Sequence, residues 1–239
     1  NKNLLDAIKD ESFFGNRTPL IYILNIYLNP FVDNYESYRF SIFIFSLIGP
    51  IIFYKCLKVK FKNTNKEILF LISSIILLSP FYRTTAYWGM EINYAIITML
   101  ISCYYFLIIS FGKENKNFKN IFLLIFFSSI TLYFDQKFLF LPMLIFLKIV
   151  ISKLSLKFKI YTILLYSFLA LPYVYLIDLW GGVVPIKTQE VNPNTITSLN
   201  RVSNFPFYNL GYASTIIGFY LFPLLFFREN NLFKMIKDF

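Results

Sequence analysis

Histidine is absent from all 239 residues. That absence excludes Ser-His-Asp hydrolysis, histidine-ligated zinc and histidine-ligated haem in one step. Cysteine occurs only as Cys56 and Cys103, one in a basic loop and one inside an apolar run, so neither a disulfide nor a metal site is expected. Charge is scarce: Asp, Glu, Lys and Arg make up 15% of the chain, against about 25% in a soluble domain. Too few charged residues remain to coat the surface of a soluble, all-helical protein. No P-loop and no GxGxxG fingerprint is present, so no cytoplasmic nucleotide-binding domain is expected. The apolar runs do not form two matched halves with broken helices, as in many secondary transporters, and rings of charge like those of channels are not visible. No methionine opens the chain and no signal-peptide pattern follows. Residues 1–17 read as the end of an outer loop, and an earlier span is expected before Asn1.

What the chain does have is apolar and aromatic: 57% of its residues are hydrophobic and 21% aromatic. They gather in long blocks, which points to membrane spans of about 20 residues each. Residues 18–31, TPLIYILNIYLNPF, are too few to span comfortably and predict a half-inserted helix with Thr18 and Pro19 as cap and first position. Seven full spans are predicted at residues 38–57, 66–81, 87–111, 118–134, 138–151, 159–179 and 207–227. The first has a kink expected at Gly49-Pro50 and the sixth contains Pro172. The expected fold is therefore an all-α polytopic bundle over residues 18–227, with a long outer loop at 179–206 and a cytoplasmic tail at 228–239.

The net charge of +10 is an orientation signal. The loops at 55–67, 112–119, 152–159 and 228–239, with Lys148, hold 15 of the 23 basic residues and 4 of the 13 acidic ones. The Lys/Arg bias assigns that set to the cytoplasm, where it reads as anchors to anionic headgroups. A nucleic-acid partner is unsupported. The opposite side carries mixed charge, Trp88 and Trp180, and the long loop, so function is expected to face outward.

The most informative stretch is LSPFYRTTAYWGMEINY, residues 78–94. A short polar turn is predicted there between two apolar runs. Arg83 can hold a phosphate with its fork of donors. Glu91 can orient a sugar hydroxyl or, if buried, act as a base. The alternative is an Arg83–Glu91 ion pair with Trp88 as an interfacial anchor. Asp135, Gln136 and Lys137 form a second polar turn, either a minimal loop or a partner for the ligand of Arg83. Arg39 and Arg17 stand at outer helix starts, where snorkelling is the alternative to function. In the long loop, Gly181-Gly182 permits a tight turn, and Gln189, Glu190, Asn192 and Arg201 offer sugar-type hydrogen bonds.

The order NRTPLIYIL, ESYRFSIFIF, LSPFYRTTAYWGMEINYAI and a span ending in DQKFLFLP resembles the GT-C glycosyltransferases of the protein mannosyltransferase and aminoarabinose transferase type. In that group a segment like HPPLYYLL precedes an arginine-led span, and a later LSP turn carries Arg and Glu. The likeness covers roughly residues 16–142. The later WGGVVP, followed by a polar loop and an aromatic span, is more distantly similar to dolichyl-phosphate-glucose glucosyltransferases. The resemblance implies inverting transfer of a sugar from a polyprenyl-phosphate donor on the non-cytoplasmic face, without a cofactor; a divalent metal has no support in the sequence. It further implies donor-phosphate contacts at Arg39, Arg83 and Lys137, and sugar or acceptor contacts at Trp88, Glu91, Asp135, Gln136, Gln189 and Arg201. Arg17 departs from the family's frequent histidine. The family's catalytic carboxylate lies in the first outer loop, of which Asp6, Asp10 and Glu11 are the candidate late members; the acid itself is expected upstream, and a fragment lacking it is expected to be inactive. A flippase for lipid-linked glycans and a non-catalytic assembly protein use the same surface features. The compact, lysine-rich loops and the lack of disulfides suggest a bacterial inner membrane.

Overall fold

The computed structural model describes residues 18–111, 117–152 and 154–182. The chain divides into two compact units, Asn1–Val191 and Asn192–Phe239, and all the described residues belong to the first. Residues 1–17, the loop beyond Gly182, the predicted span at 207–227 and the tail lie outside them. The described residues form helices and turns without strands, in agreement with an all-α fold.

Helix α1, Leu20–Leu28, has nine residues, about 14 Å at 1.5 Å per residue, well short of a hydrocarbon core of about 30 Å. Thr18 does not cap it. Its hydroxyl donates to the carbonyl of Tyr133, tying the start of α1 to a distant helix end, while Pro19 occupies the cap position without a side-chain bond. Helix α2, Tyr35–Ser46, begins where the Asn34 side chain accepts from the N–H groups of Glu36 and Ser37 at 3.0 and 3.1 Å. Glu36 adds a negative charge to that first turn, where the helix dipole favours it.

After Leu47, α3 runs over Ile48–Lys60. Pro50 has no N–H, so the Ser46 carbonyl four residues back lacks its helical donor. The Tyr82 hydroxyl donates to that carbonyl instead. Its ring reaches it by passing over Gly49, where a Cβ would collide with the phenol oxygen. Near the kink expected at Gly49-Pro50, the two helices meet at Leu47 and a tyrosine supplies the donor that the proline lacks.

Asn65 caps α4, Lys66–Ser74, by accepting from Glu67 N–H at 2.9 Å. A 3₁₀ turn, Ile75–Leu78, follows, and the chain bends by 62° into α5, Pro80–Tyr87. Helix α6, Glu91–Phe111, is the axis of the unit, packed between α3 and α7, Phe118–Phe134. Small residues permit the close approach: Ala95 and Ser102 of α6 are fully buried, and the hydroxyls of Thr131 and Thr98 meet at 2.9 Å. A 3₁₀ turn, Gln136–Leu139, leads into α8, Phe140–Ile151, and α9 closes the described part at Leu156–Trp180.

Three stretches are long and apolar enough to cross a membrane: α2 with α3 (Tyr35–Lys60, 26 residues), α6 (21) and α9 (25). The bent pair α4–α5 makes a fourth if it counts as one span. The remaining apolar helices are shorter, at 17 residues for α7 and 12 for α8. Two contacts define the ends of the bundle. Lys60 at the end of α3 sits over the Phe111 ring at the end of α6, 4.2 Å from its centroid. At the other end Phe45, Tyr94 and Phe134 stack at 4.8 and 5.3 Å, joining α2, α6 and α7.

Candidate functional site

The site is built on α5. The polar turn expected from residue 81 onward is a two-turn helix, Pro80–Tyr87. Ser79 is extended (φ −63°, ψ 117°), as a residue before proline must be, and its hydroxyl accepts from Tyr82 N–H at 3.4 Å. Pro80 takes the first helical position, where its missing N–H costs nothing. Gly89 stops the helix at φ 62°. Its N–H bonds to the Ala86 carbonyl at 3.2 Å and Met90 N–H to that of Thr85 at 2.9 Å, the paired bonds of a Schellman ending. The sequence from Ser79 to Gly89 therefore encodes a complete short helix with both caps. It holds Arg83, Tyr87 and Trp88 at the end of the bundle where α2 and α6 begin.

Arg39, in the second turn of α2, reaches this helix end. Its Nε donates to the Tyr87 carbonyl at 3.1 Å. Its guanidinium lies 3.6 Å from the centroid of the Tyr87 ring, with Tyr35 at 5.1 Å and Trp88 at 5.5 Å around it. An arginine so enclosed gains cation–π attraction from each ring face. Its Nη2 is buried with no hydrogen-bond partner among the described residues. Beside it lies an open depression of about 300 Å³ lined by Pro80, Arg83, Thr84, Tyr87 and Trp88. Arg83 is exposed and makes no side-chain hydrogen bond or ion pair among the described residues. The ion pair with Glu91 that the sequence leaves open is therefore not what occupies it. Tyr87 is the shared wall, with one side chain stacked on Arg39 and lining the space before Arg83.

Glu91 opens α6 just past Gly89 and is half-buried. Asp135, Gln136 and Lys137 lie at the same end of the bundle, where α7 finishes beside the start of α6, but they do not line the depression. Asp135 is buried, and its carboxylate accepts from Lys137 N–H at 3.0 Å, capping the 3₁₀ turn. Gln136 interacts through its side chain with Tyr173 of α9, while the Lys137 side chain is exposed. Asp6, Asp10, Glu11, Arg17, Gln189, Glu190, Asn192 and Arg201 lie outside the described residues. Cys56 lies within α3, not in a loop, and its thiol is buried against the Leu100 carbonyl at 3.5 Å. Among the described residues no three Asp, Glu, Cys or His side chains gather as a metal site would require.

Tyr35 and Tyr87 are the functional candidates that sequence reasoning missed. Tyr87 stands at the start of a predicted span, which hides it. The signals are Tyr35 and Arg39 four apart on one helix face and the Ser-Pro…Gly frame that ends α5 just after Tyr87.

No protein-family model matches the chain, and comparisons with curated proteins and with solved structures likewise found no match. The functional reading therefore rests on the residues and their geometry.

Proposed function

We propose that the protein is a membrane glycosyltransferase of GT-C type that takes its sugar from a polyprenyl-phosphate donor. The observation that carries the reading is Arg83. It is an exposed guanidinium without a partner among the described residues, standing in a depression walled by Tyr87 and Trp88 at one end of an apolar bundle. A charged fork in that position suits the phosphate of a donor whose chain runs into lipid, and arginine binds such an oxyanion in bidentate fashion. The aromatic walls suit a sugar ring and the first isoprene units.

In this reading α4 with α5, α7, α8 with its 3₁₀ turn, and residues 207–227 also cross the membrane. They complete seven spans with α1 half inserted. The Arg83 end faces outward from a bacterial inner membrane, and the lysine-rich end faces the cytoplasm, as the Lys/Arg bias favours. The acceptor hydroxyl attacks the anomeric carbon as the bond to the phosphate oxygen breaks. Its proton passes to a carboxylate, with Asp6, Asp10 and Glu11 the candidates on this chain. Polyprenyl phosphate leaves with its negative charge met by Arg83, and by Arg39 and Lys137 where they reach it.

The test is transfer of radiolabel from a polyprenyl-phosphate sugar by the full-length protein. Transfer to an acceptor, lost on Arg83→Ala, is the expected result. Absence of transfer with translocation of the labelled lipid intact would replace the enzyme with a flippase. Neither activity would leave a non-catalytic assembly role.

A further inference from the structure

The opposite end of the bundle carries a second depression, of about 460 Å³, lined by Lys55, Lys58, Val59, Lys62, Tyr104, Ile108 and Phe111. Lys55 and Lys58 stand one turn apart on α3, and Lys62 follows in the turn after it. All three are exposed and form no ion pair or hydrogen bond among the described residues. Lys60, between them in sequence, turns instead onto the Phe111 ring. Three lysines thus line one mouth, and no carboxylate stands among its described lining residues. Three like charges brought together repel unless an anion joins them. The floor is apolar: Val59, Ile108 and Phe111 continue along the α3–α6 groove, and Tyr104 places an aromatic ring with a polar tip beside them.

We propose that this depression binds one anionic glycerophospholipid, with its headgroup phosphate among Lys55, Lys58 and Lys62 and an acyl chain along Val59, Ile108 and Phe111. A soluble phosphate would meet the lysines and leave the apolar floor unused. A zwitterionic lipid would fill the floor and bring a cation to the lysines. An anionic lipid satisfies both. Basic pockets between membrane helices bind such headgroups, at roughly fivefold in affinity per lysine near the surface. The site uses none of the residues assigned to the sugar donor, so it stands or falls separately from the glycosyltransferase reading. It rests only on α2–α3 and α6 lying in a membrane.

The test is a thermal-melting titration of the purified full chain in a non-ionic detergent. The additions are dioctanoyl phosphatidylglycerol, dioctanoyl phosphatidylcholine or inorganic phosphate. Phosphatidylglycerol is expected to raise the melting temperature saturably in the wild type. The same should hold for a charge-matched control, Lys119→Gln/Lys148→Gln/Lys157→Gln. The variant Lys55→Gln/Lys58→Gln/Lys62→Gln is expected to need on the order of 100-fold more of that lipid. If that variant does not fold, Lys58→Gln alone should weaken binding about fivefold. Equal shifts with phosphatidylcholine, or the full shift with inorganic phosphate, would overturn the proposal. So would wild-type affinity in the lysine variants. Recovery of the chain from cells without detergent would instead sink the membrane reading on which the site rests.

Discussion

The two arginines at the α5 end have different surroundings and should respond differently to mutation. Arg39 is wrapped by Tyr35, Tyr87 and Trp88 and bonded to the Tyr87 carbonyl, so its removal empties a packed position. Arg39→Ala is therefore expected to lower the melting temperature. Arg83 is exposed, makes no side-chain hydrogen bond or ion pair among the described residues and lines the open depression. Arg83→Ala should leave the melting temperature within error yet weaken a short-chain polyprenyl-phosphate sugar by about 10- to 100-fold, the worth of hydrogen bonds to a charged group. Arg83→Lys should fall between, keeping the charge and losing the fork. Calorimetric titration of the three proteins decides this, and unchanged binding in Arg83→Ala would remove that residue from the site. Gly89 is a third residue with a definite role. At φ 62° any Cβ is strained, and here it would also meet the Tyr38 ring at 3.0 Å. Gly89→Ala should cost about 1–2 kcal/mol from the backbone alone. Because Gly89 ends the helix that carries Arg83, donor affinity should fall with stability in that variant.

Between elements, the recurring device is a tyrosine hydroxyl brought to a helix that proline has interrupted. Tyr82 of α5 supplies the donor that Pro50 denies to Ser46. Pro172 interrupts α9, and Tyr133 of α7 inserts its hydroxyl into the adjoining step, donating to the Leu169 carbonyl at 2.6 Å and accepting from Tyr173 N–H at 3.2 Å. In an apolar surrounding such groups must find partners within the protein, and a side chain inserted in the ladder is one of the recognised causes of a kink. Tyr133→Phe is expected to destabilise by about 1–3 kcal/mol, since two backbone groups lose their partner. In a Pro172→Ala background α9 can close its own ladder, and the same change should cost less than half as much. Chemical denaturation of the four proteins in this cycle measures the coupling, and additive effects would refute the insertion account. The pair also marks what a sequence does and does not disclose. Pro50 and Pro172 stand out in apolar runs, and the blocks predicted near α2–α3, α6, α7 and α9 are found there as helices. Their tyrosine partners lie 36 and 40 residues away from the groups they bond, and no local pattern specifies such a pairing. The same limit applies to the site: Arg83 and Trp88 are legible as costly residues in a polar gap, whereas the enclosure of Arg39 by Tyr87 depends on a fold of 48 residues. A helix as short as α5 is also easily read as a turn, because eight residues hold only about two repeats of the 3.6-residue period.

For the whole molecule, the charge asymmetry and the helix ends make a joint statement that a topology experiment can check. The chain alternates between two ends: Asp33 and Lys137 belong with Arg39 and Trp88, while Lys62 and Leu156 lie at the end marked by Lys60 on Phe111. The join between α8 and α9 is held at that second end by Lys159 Nζ donating to the Val150 carbonyl at 2.6 Å. Of the lysine-rich loops, the turn that holds Lys62 and the join between α8 and α9 fall there among the described residues, and in the proposed orientation the Lys/Arg bias over short loops puts such an end in the cytoplasm. The native thiols must first be removed; Cys56 is buried and Cys103 half-buried, so Cys56→Ala/Cys103→Ala changes little at the surface. In that background, single substitutions Asp33→Cys, Lys137→Cys, Lys62→Cys and Leu156→Cys each report one position, all exposed. A membrane-impermeant maleimide added to intact cells should label the first two, and the last two only after permeabilisation. Labelling of 62 and 156 but not 33 and 137 would reverse the orientation and put Arg83 in the cytoplasm. A donor site there would meet soluble phosphates as readily as lipid-linked ones, and the glycosyltransferase reading would lose its outward face. Labelling that separates 33 from 137 would be more damaging, because it would break the alternation of spans that brings α2, α5 and α7 to one end. The orientation test thus bears on the donor site as directly as any substitution within it.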